Sequence, residues 1–379
     1  MKKGKLKLTR WILTASLPMF LWMPVKGIAL VEPTTLGIGV PAPLFDLPGV
    51  DGRNYKLSDF SDAKVLVIVF TCNHCPTAQA YEQRIKALAQ DYRGKGVALV
   101  AISPNDPRAV RLDELGYTDL SDSFEEMKIR AQGQKFNYPY LYDGDEEKVS
   151  RAYGPTATPH VFIFDKDRRL RYAGRVDDSE KPARVTSSDA KNAIDALLAG
   201  RPVPVEKTKT FGCSIKWSDK RASVKSAFQQ WANEPVSLQT IDETGIRALV
   251  RNASKKLRLI NVWATWCGPC VVEFPELVTI NRMYRGREFE FVTISADAPE
   301  NKDQALAFLK KQQASSSNYI FSIDDKYKLV EGVDKEWPGA LPYTILVEPG
   351  GKVIFRVQGE LSPLELKRAI VARLGRYYP

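Results

Sequence analysis

The stretch Leu257 to Pro275, LRLINVWATWCGPCVVEFP, limits the possible folds more than any other part of the chain. Its first half is a run of Leu, Ile, Val and Trp with the pattern of a strand buried on both faces. The run stops at Cys267-Gly-Pro-Cys270, and a helix is predicted to begin at the cysteines. A strand that hands a thiol to a helix N-terminus sets it where unpaired N–H groups and the helix dipole favour an anion. Such settings bring a cysteine pKa from about 8.5 down to roughly 3.5–7.5. Cys267 is therefore expected to be an ionised nucleophile at neutral pH, with Cys270 close enough to form a disulfide with it. Half of a zinc site is the competing reading, but zinc needs two more Cys or His ligands, and this half of the chain has no histidine.

The chain has 379 residues, too many for one such strand–helix unit and enough for two domains and a leader. Residues 1–29 have a basic head (Lys2, Lys3, Lys5, Lys7, Arg10) followed by an apolar run from Trp11 to Val25. This is the pattern of a secretory signal peptide, or of an uncleaved anchor, and Gly27-Ile28-Ala29 offers a cleavage site. The expected location is periplasmic, or membrane-anchored and facing the periplasm. These residues hold six of the positive charges and no negative one, so the formal +10 falls to +4 beyond them. That balance, with no basic tract interleaved with aromatics, argues against a nucleic-acid partner.

Export gives the five cysteines a context in which structural disulfides are common. Four of them, however, form two short C-x-x-C pairs, Cys72/Cys75 and Cys267/Cys270, which close loops too small to brace a fold. They read as working thiols, with redox-active disulfides in place of a bound cofactor and no resident metal. From about residue 35 to 200, apolar strands (64–70, 97–103, 138–142, 161–165, 170–176) alternate with helices predicted over 76–92 and 188–198, an α/β layout. Cys72-Asn-His-Cys75 follows the first of these strands, which suggests the same local position as the second pair. The two histidines of the chain are His74, inside that pair, and His160, after Pro159; both are candidates to stabilise a thiolate or relay a proton near Cys72. Residues 201–222, mixed in Pro, Lys and Thr and carrying Cys213, read as a linker, and 223–379 as a second α/β domain.

WCGPC resembles the thioredoxin superfamily. Residues 223–379 are similar to the exported TlpA/ResA-like thioredoxins through WATWCGPC and Glu273-Phe274-Pro275. Residues 35–200 are similar to the AhpC/TSA, peroxiredoxin-like branch through the lead-in GVPAPLFDLP, the segment 52–57 and a longer central insertion placed in 105–133. The resemblance implies two thioredoxin-like domains, each a central mixed β-sheet flanked by helices. It also implies cis-prolines against the cysteines at Thr158-Pro159 and Leu341-Pro342, and a proton-transfer role for Glu273 beside Cys270. Cys213 is a possible resolving thiol. The expected activity is thiol–disulfide exchange with protein thiols or disulfides, Cys72 and Cys267 attacking and Cys75 and Cys270 resolving. A membrane-embedded or periplasmic protein is an expected electron donor. Two alternatives stand beside it. One is a thiol peroxidase reduced by its own C-terminal domain, weakened because Pro159-His160 stands where that branch has an arginine. The other is a Sco-like copper-binding chaperone, weakened because the Sco cysteines are three residues apart.

Overall fold

The computed structural model describes Met1 and residues 33–378, so the predicted leader lies outside the described residues. Long apolar runs make the central strands. Val65–Phe70 (VLVIVF) and Leu257–Trp263 (LRLINVW) are buried at every position, because each is covered by neighbours on both faces. In the first half the order is β1 (Asp46–Pro48), β2 (Asn54–Lys56), β3 (Val65–Phe70), α1 (Pro76–Asp91), β4 (Val97–Ser103), α2 (Phe124–Gln134), β5 (Tyr140–Tyr142), α3 (Lys148–Tyr153), β6 (His160–Phe164), β7 (Leu170–Gly174) and α4 (Asp189–Leu198). The second half runs α5 (Arg221–Ala232), β8 (Gln239–Ile241), α6 (Glu243–Arg251), β9 (Leu257–Trp263), α7 (Gly268–Tyr284), β10 (Phe289–Ser295), α8 (Lys302–Lys311), β11 (Ser317–Phe321), α9 (Lys326–Val333), β12 (Tyr343–Val347), β13 (Val353–Gln358) and α10 (Pro363–Leu374).

The expected α/β architecture holds. One sheet has the order β5-β4-β3-β6-β7 and the other β13-β12-β9-β10-β11-β8. Both are mixed: β3 runs parallel to β4 and antiparallel to β6, as β9 does to β10 and β12. Alternate residues of β3 feed two cores, Val65, Val67 and Val69 on one face and Leu66, Ile68 and Phe70 on the other. Among the described residues no helix is long and apolar enough to cross a membrane.

Residues 201–222 are tied to the first sheet along their length. Thr208 N donates to Ala173 O, and Ala173 N donates to Glu206 O, beside β7. Cys213 bridges to Thr158, and Asp106 N donates to Lys216 O. From Pro33 on the chain clusters as one unit, because the insertion of the first half enters the second core. Val110 and Leu115 pack with Leu277, Ile280, Met283 and Tyr284 of α7. Tyr284 OH donates to Thr118 O at 2.7 Å, and Arg287 Nη1 to Gly116 O at 2.9 Å.

Candidate functional site

The β3–β4 and β9–β10 ladders share one register, and this corrects the expected pairing of the cysteines. Val65 pairs with Val97 at the start of one ladder, and Leu257 with Phe289 at the start of the other. Both steps correspond to the same offset (257 − 65 = 289 − 97 = 192). Applied to the site, that offset sets Cys75 on Cys267 and Ala78 on Cys270, and it sets Cys72 on Ala264. The helices agree, since Cys75 is the N-cap of α1 and Cys267 the N-cap of α7. Cys72 is therefore not the counterpart of Cys267, and the helical position of a resolving cysteine in the first half holds Ala78. The signal was present in the sequence: a proline such as Pro76 favours the first position of a helix, which makes the residue before it the cap.

In the first site Cys75 Sγ is surrounded by donors. Ala78 N donates to it at 3.4 Å and Cys213 N at 3.3 Å. The Cys72 and Cys213 thiols lie within hydrogen-bonding reach of the same sulfur. Burial pushes the Cys75 thiol up, but these hydrogen bonds and the nearby His74 charge outweigh it and hold Cys75 well below an ordinary thiol. Cys72 moves the other way. Burial raises it, and its hydrogen bond to Cys75 raises it further. The N-cap sulfur is thus the more acidic of the two, and Cys72, 3.2 Å from Thr158 Oγ1, is its less acidic neighbour.

His74 is held by a residue that sequence reading missed. Asp122, from the loop before α2, accepts from His74 Nδ1 at 2.5 Å and from the backbone N–H groups of Asn73 and His74, while Asn105 Nδ2 also donates to it. Burial disfavours the His74 charge, but the Asp122 carboxylate more than offsets this and raises its pKa. No motif marks Asp122 in the sequence; only the fold of the insertion brings it here. Cys72, His74 and Asp122 group closely enough to hold a metal ion. Yet both oxygens of Asp122 and Nδ1 of His74 are committed to each other and to the backbone, so the donor set already has its partners and lends the copper reading no support.

His160 does not join this group. Its Nδ1 accepts from Thr156 N at 3.2 Å and its ring tilts over Phe162 at 4.5 Å. Burial lowers its pKa to about 4, so it is neutral near pH 7. The Thr158-Pro159 and Leu341-Pro342 bonds are both cis, and Thr158 O lies 3.3 Å from Cys75 Sγ.

In the second site Cys267 and Cys270 are joined as a disulfide, and Cys270 N donates to Cys267 Sγ at 3.3 Å. Asp297 fixes the approach loop by accepting from Thr265 N and Thr265 Oγ1, the latter at 2.6 Å. Trp266 is 68% exposed beside the disulfide. Glu273 sits in α7, one turn past Cys270. Burial raises its pKa to about 7; hydrogen bonds from Leu361 N and Asn261 only partly counter this. Its Oε1 accepts from Asn261 Nδ2 at 3.3 Å, while Oε2 is buried without a partner. The two sites thus differ: one has a buried disulfide beside an exposed tryptophan and a carboxyl with a pKa near 7, and the other has three thiols with a His–Asp pair.

Two family models match the chain, AhpC/TSA over residues 38–173 and Redoxin over residues 232–370. The chain is 27% identical over 121 residues to "Thiol-disulfide oxidoreductase ResA" of Bacillus subtilis (strain 168), which covers 32% of this chain and 63% of that protein. It is 31% identical over 156 residues to "Putative peroxiredoxin MT2597" of Mycobacterium tuberculosis (strain CDC 1551 / Oshkosh), covering 36% of this chain and 98% of that one. A crystal structure of an uncharacterised conserved protein from Geobacillus kaustophilus shares 40% identity, with a TM-score of 0.44 over 50% of this chain and 96% of that one.

Proposed function

Since the chain belongs to the AhpC/TSA family in its first half and to the Redoxin family in its second, we propose that it is a thiol–disulfide oxidoreductase with two unlike thiol centres. The observation that carries this reading is the shared placement of Cys75 and Cys267, each capping the helix that follows a central strand, each beside a second sulfur. In the second centre the reduced Cys267 thiolate attacks a partner's disulfide, and Cys270 releases the product by attacking Cys267. Glu273, with a pKa near 7, is able to take the Cys270 proton and return it. In the first centre Cys75 is the nucleophile and Cys72 the resolving thiol packed beside it.

The basic and apolar residues 1–29 support work outside the cytoplasm, periplasmic or membrane-anchored, where disulfide exchange persists. Protein thiols or disulfides are the proposed partners, with a membrane-embedded or periplasmic electron donor. The absence of a cysteine at Ala78 favours a second reading for the first half, a thiol peroxidase reduced by the second.

Stopped-flow reaction of the reduced protein with a model protein disulfide and with a hydroperoxide separates the two readings. Exchange with the protein disulfide is expected to fall about 100-fold or more in Cys267→Ser. Peroxide consumption is expected to be slow in all forms. Fast consumption lost in Cys75→Ser would establish the peroxidase reading instead.

A further inference from the structure

Cys72 and Cys75 are 2% and 0% exposed, and thiol exchange requires a sulfur to be reached in line by its attacker. The third thiol of the cluster, Cys213, is only part-buried. It is delivered by an extended segment whose isolated bridge to Thr158 takes over the backbone beside Cys75. Thr158 N donates to Cys213 O at 2.9 Å, the two residues form an isolated antiparallel bridge, and Cys213 N donates to Cys75 Sγ. Gly212 allows this close approach. Its φ is +138°, and a Cβ there would meet Thr158 O at 2.1 Å.

An unpaired backbone edge next to a reactive sulfur is where an extended partner chain adds as a further strand. In the second domain that edge is open, for among the described residues no bridge pairs with Leu341, and the exposed Trp266 stands beside Cys267. At the first site the edge is already occupied by the protein's own residues. A partner polypeptide cannot pair there while the Cys213 segment is in place.

We propose that Cys213 is a shuttle thiol, which exchanges with disulfides from solution and passes the oxidising equivalent inward to Cys75 and then to Cys72. The inference rests on the reading of Cys72 and Cys75 as a redox pair. With a small disulfide RSSR, Cys213 gives its proton to solvent and attacks, forming Cys213–S–S–R and expelling RS⁻. That thiolate takes a proton from solvent and leaves as RSH. Cys75 then attacks the Cys213 sulfur, forming Cys75–Cys213 and expelling a second RS⁻. Cys72 finally attacks Cys75, closing Cys72–Cys75 and freeing the Cys213 thiolate; the Cys72 proton goes to the second RS⁻, and Cys213 is reprotonated from solvent. Two thiols are oxidised and one RSSR becomes two thiols. The reverse order carries electrons outward.

The test uses the full chain, reduced, with glutathione disulfide as the probe, acid quenching at successive times, and mass mapping of every cysteine. Glutathione is expected first on Cys213, then a Cys75–Cys213 link, then Cys72–Cys75. The Cys213→Ser variant is expected to form Cys72–Cys75 about tenfold more slowly or worse. Glutathione appearing first on Cys75 or Cys72 in the wild type, or an unslowed Cys213→Ser variant, overturns the shuttle and leaves the redox pair standing. No Cys72–Cys75 disulfide in the wild type after prolonged exposure overturns both.

Discussion

Glu273 is held at the edge of ionisation by burial, with one carboxylate oxygen on Asn261 Nδ2 and the other without a partner. Its folded pKa of about 7 stands above the unfolded value of 4.5. The folded protein keeps a proton that the unfolded chain gives up, so the contribution to stability is fully present below pH 4.5. It is lost as the pH rises to about 7 and is level above that. Replacing Glu273 with Gln is expected to remove this slope. Urea midpoints measured at pH 5 and pH 8 should fall further in the wild type than in Glu273→Gln; equal falls would mean that the carboxyl does not titrate in this range. Glu273 was singled out in the sequence because helix spacing sets it one turn past Cys270; that its carboxyl is buried against Asn261 and Leu361 is a matter of packing. The role of Cys75 was obscured by the C-x-x-C spacing, which invites alignment of Cys72 with Cys267. Only the strand registers show that the cap, not the first cysteine, is the equivalent position.

The extended segment around Cys213 is held by one backbone hydrogen bond from Thr158, one from its own N–H to Cys75 Sγ, and one glycine in the positive-φ region. A methyl group at Gly212 would drive the segment off Thr158 and take the Cys213 N–H away from Cys75. Native-state alkylation of Cys75 by iodoacetamide is expected to rise about tenfold in Gly212→Ala, because exposure and not only thiolate character limits it. An unchanged rate would mean that something other than this segment shields the thiols. Among the elements, those built from long apolar runs were legible: β3, β4 and β9, and helices α1 and α7 that follow the cysteine pairs. The strands β8 and β11 were not. Gln239–Ile241 buries only Ile241, and Ser317–Phe321 begins in a polar stretch, so neither carries the signature of a strand until its neighbour supplies the ladder. The stretch 105–133, read in the sequence as an insertion, includes most of α2, but what it does, carrying Asp122 to His74 and Leu115 into the other core, depends on contacts across more than one element.

At the scale of the molecule, that insertion joins the halves. Leu115 is 6% exposed in a core whose other walls are α7, α10 and the second sheet. Truncation of such a residue typically costs about 2–5 kcal/mol, so Leu115→Ala is expected to lower stability by about 2–3 kcal/mol. Calorimetry should show one transition in the wild type, and Leu115→Asp, which buries a charge at the joint, should split it in two. A wild type that already melts in two steps would show that the shared core does not couple the halves. The constant offset between β3–β4 and β9–β10 has a different consequence, for protein engineering. Residues 71–78 and 263–270 span the same main-chain gap, leaving and entering their frames at matched positions. The two segments are therefore equal in length between matched positions: WATWCGPC grafted into the first frame, or TCNHCPTA into the second, needs no loop to be lengthened or shortened, and what the exchange must still satisfy is the packing of Trp263 on Phe274 and Phe308 and the hold of Asp122 on His74.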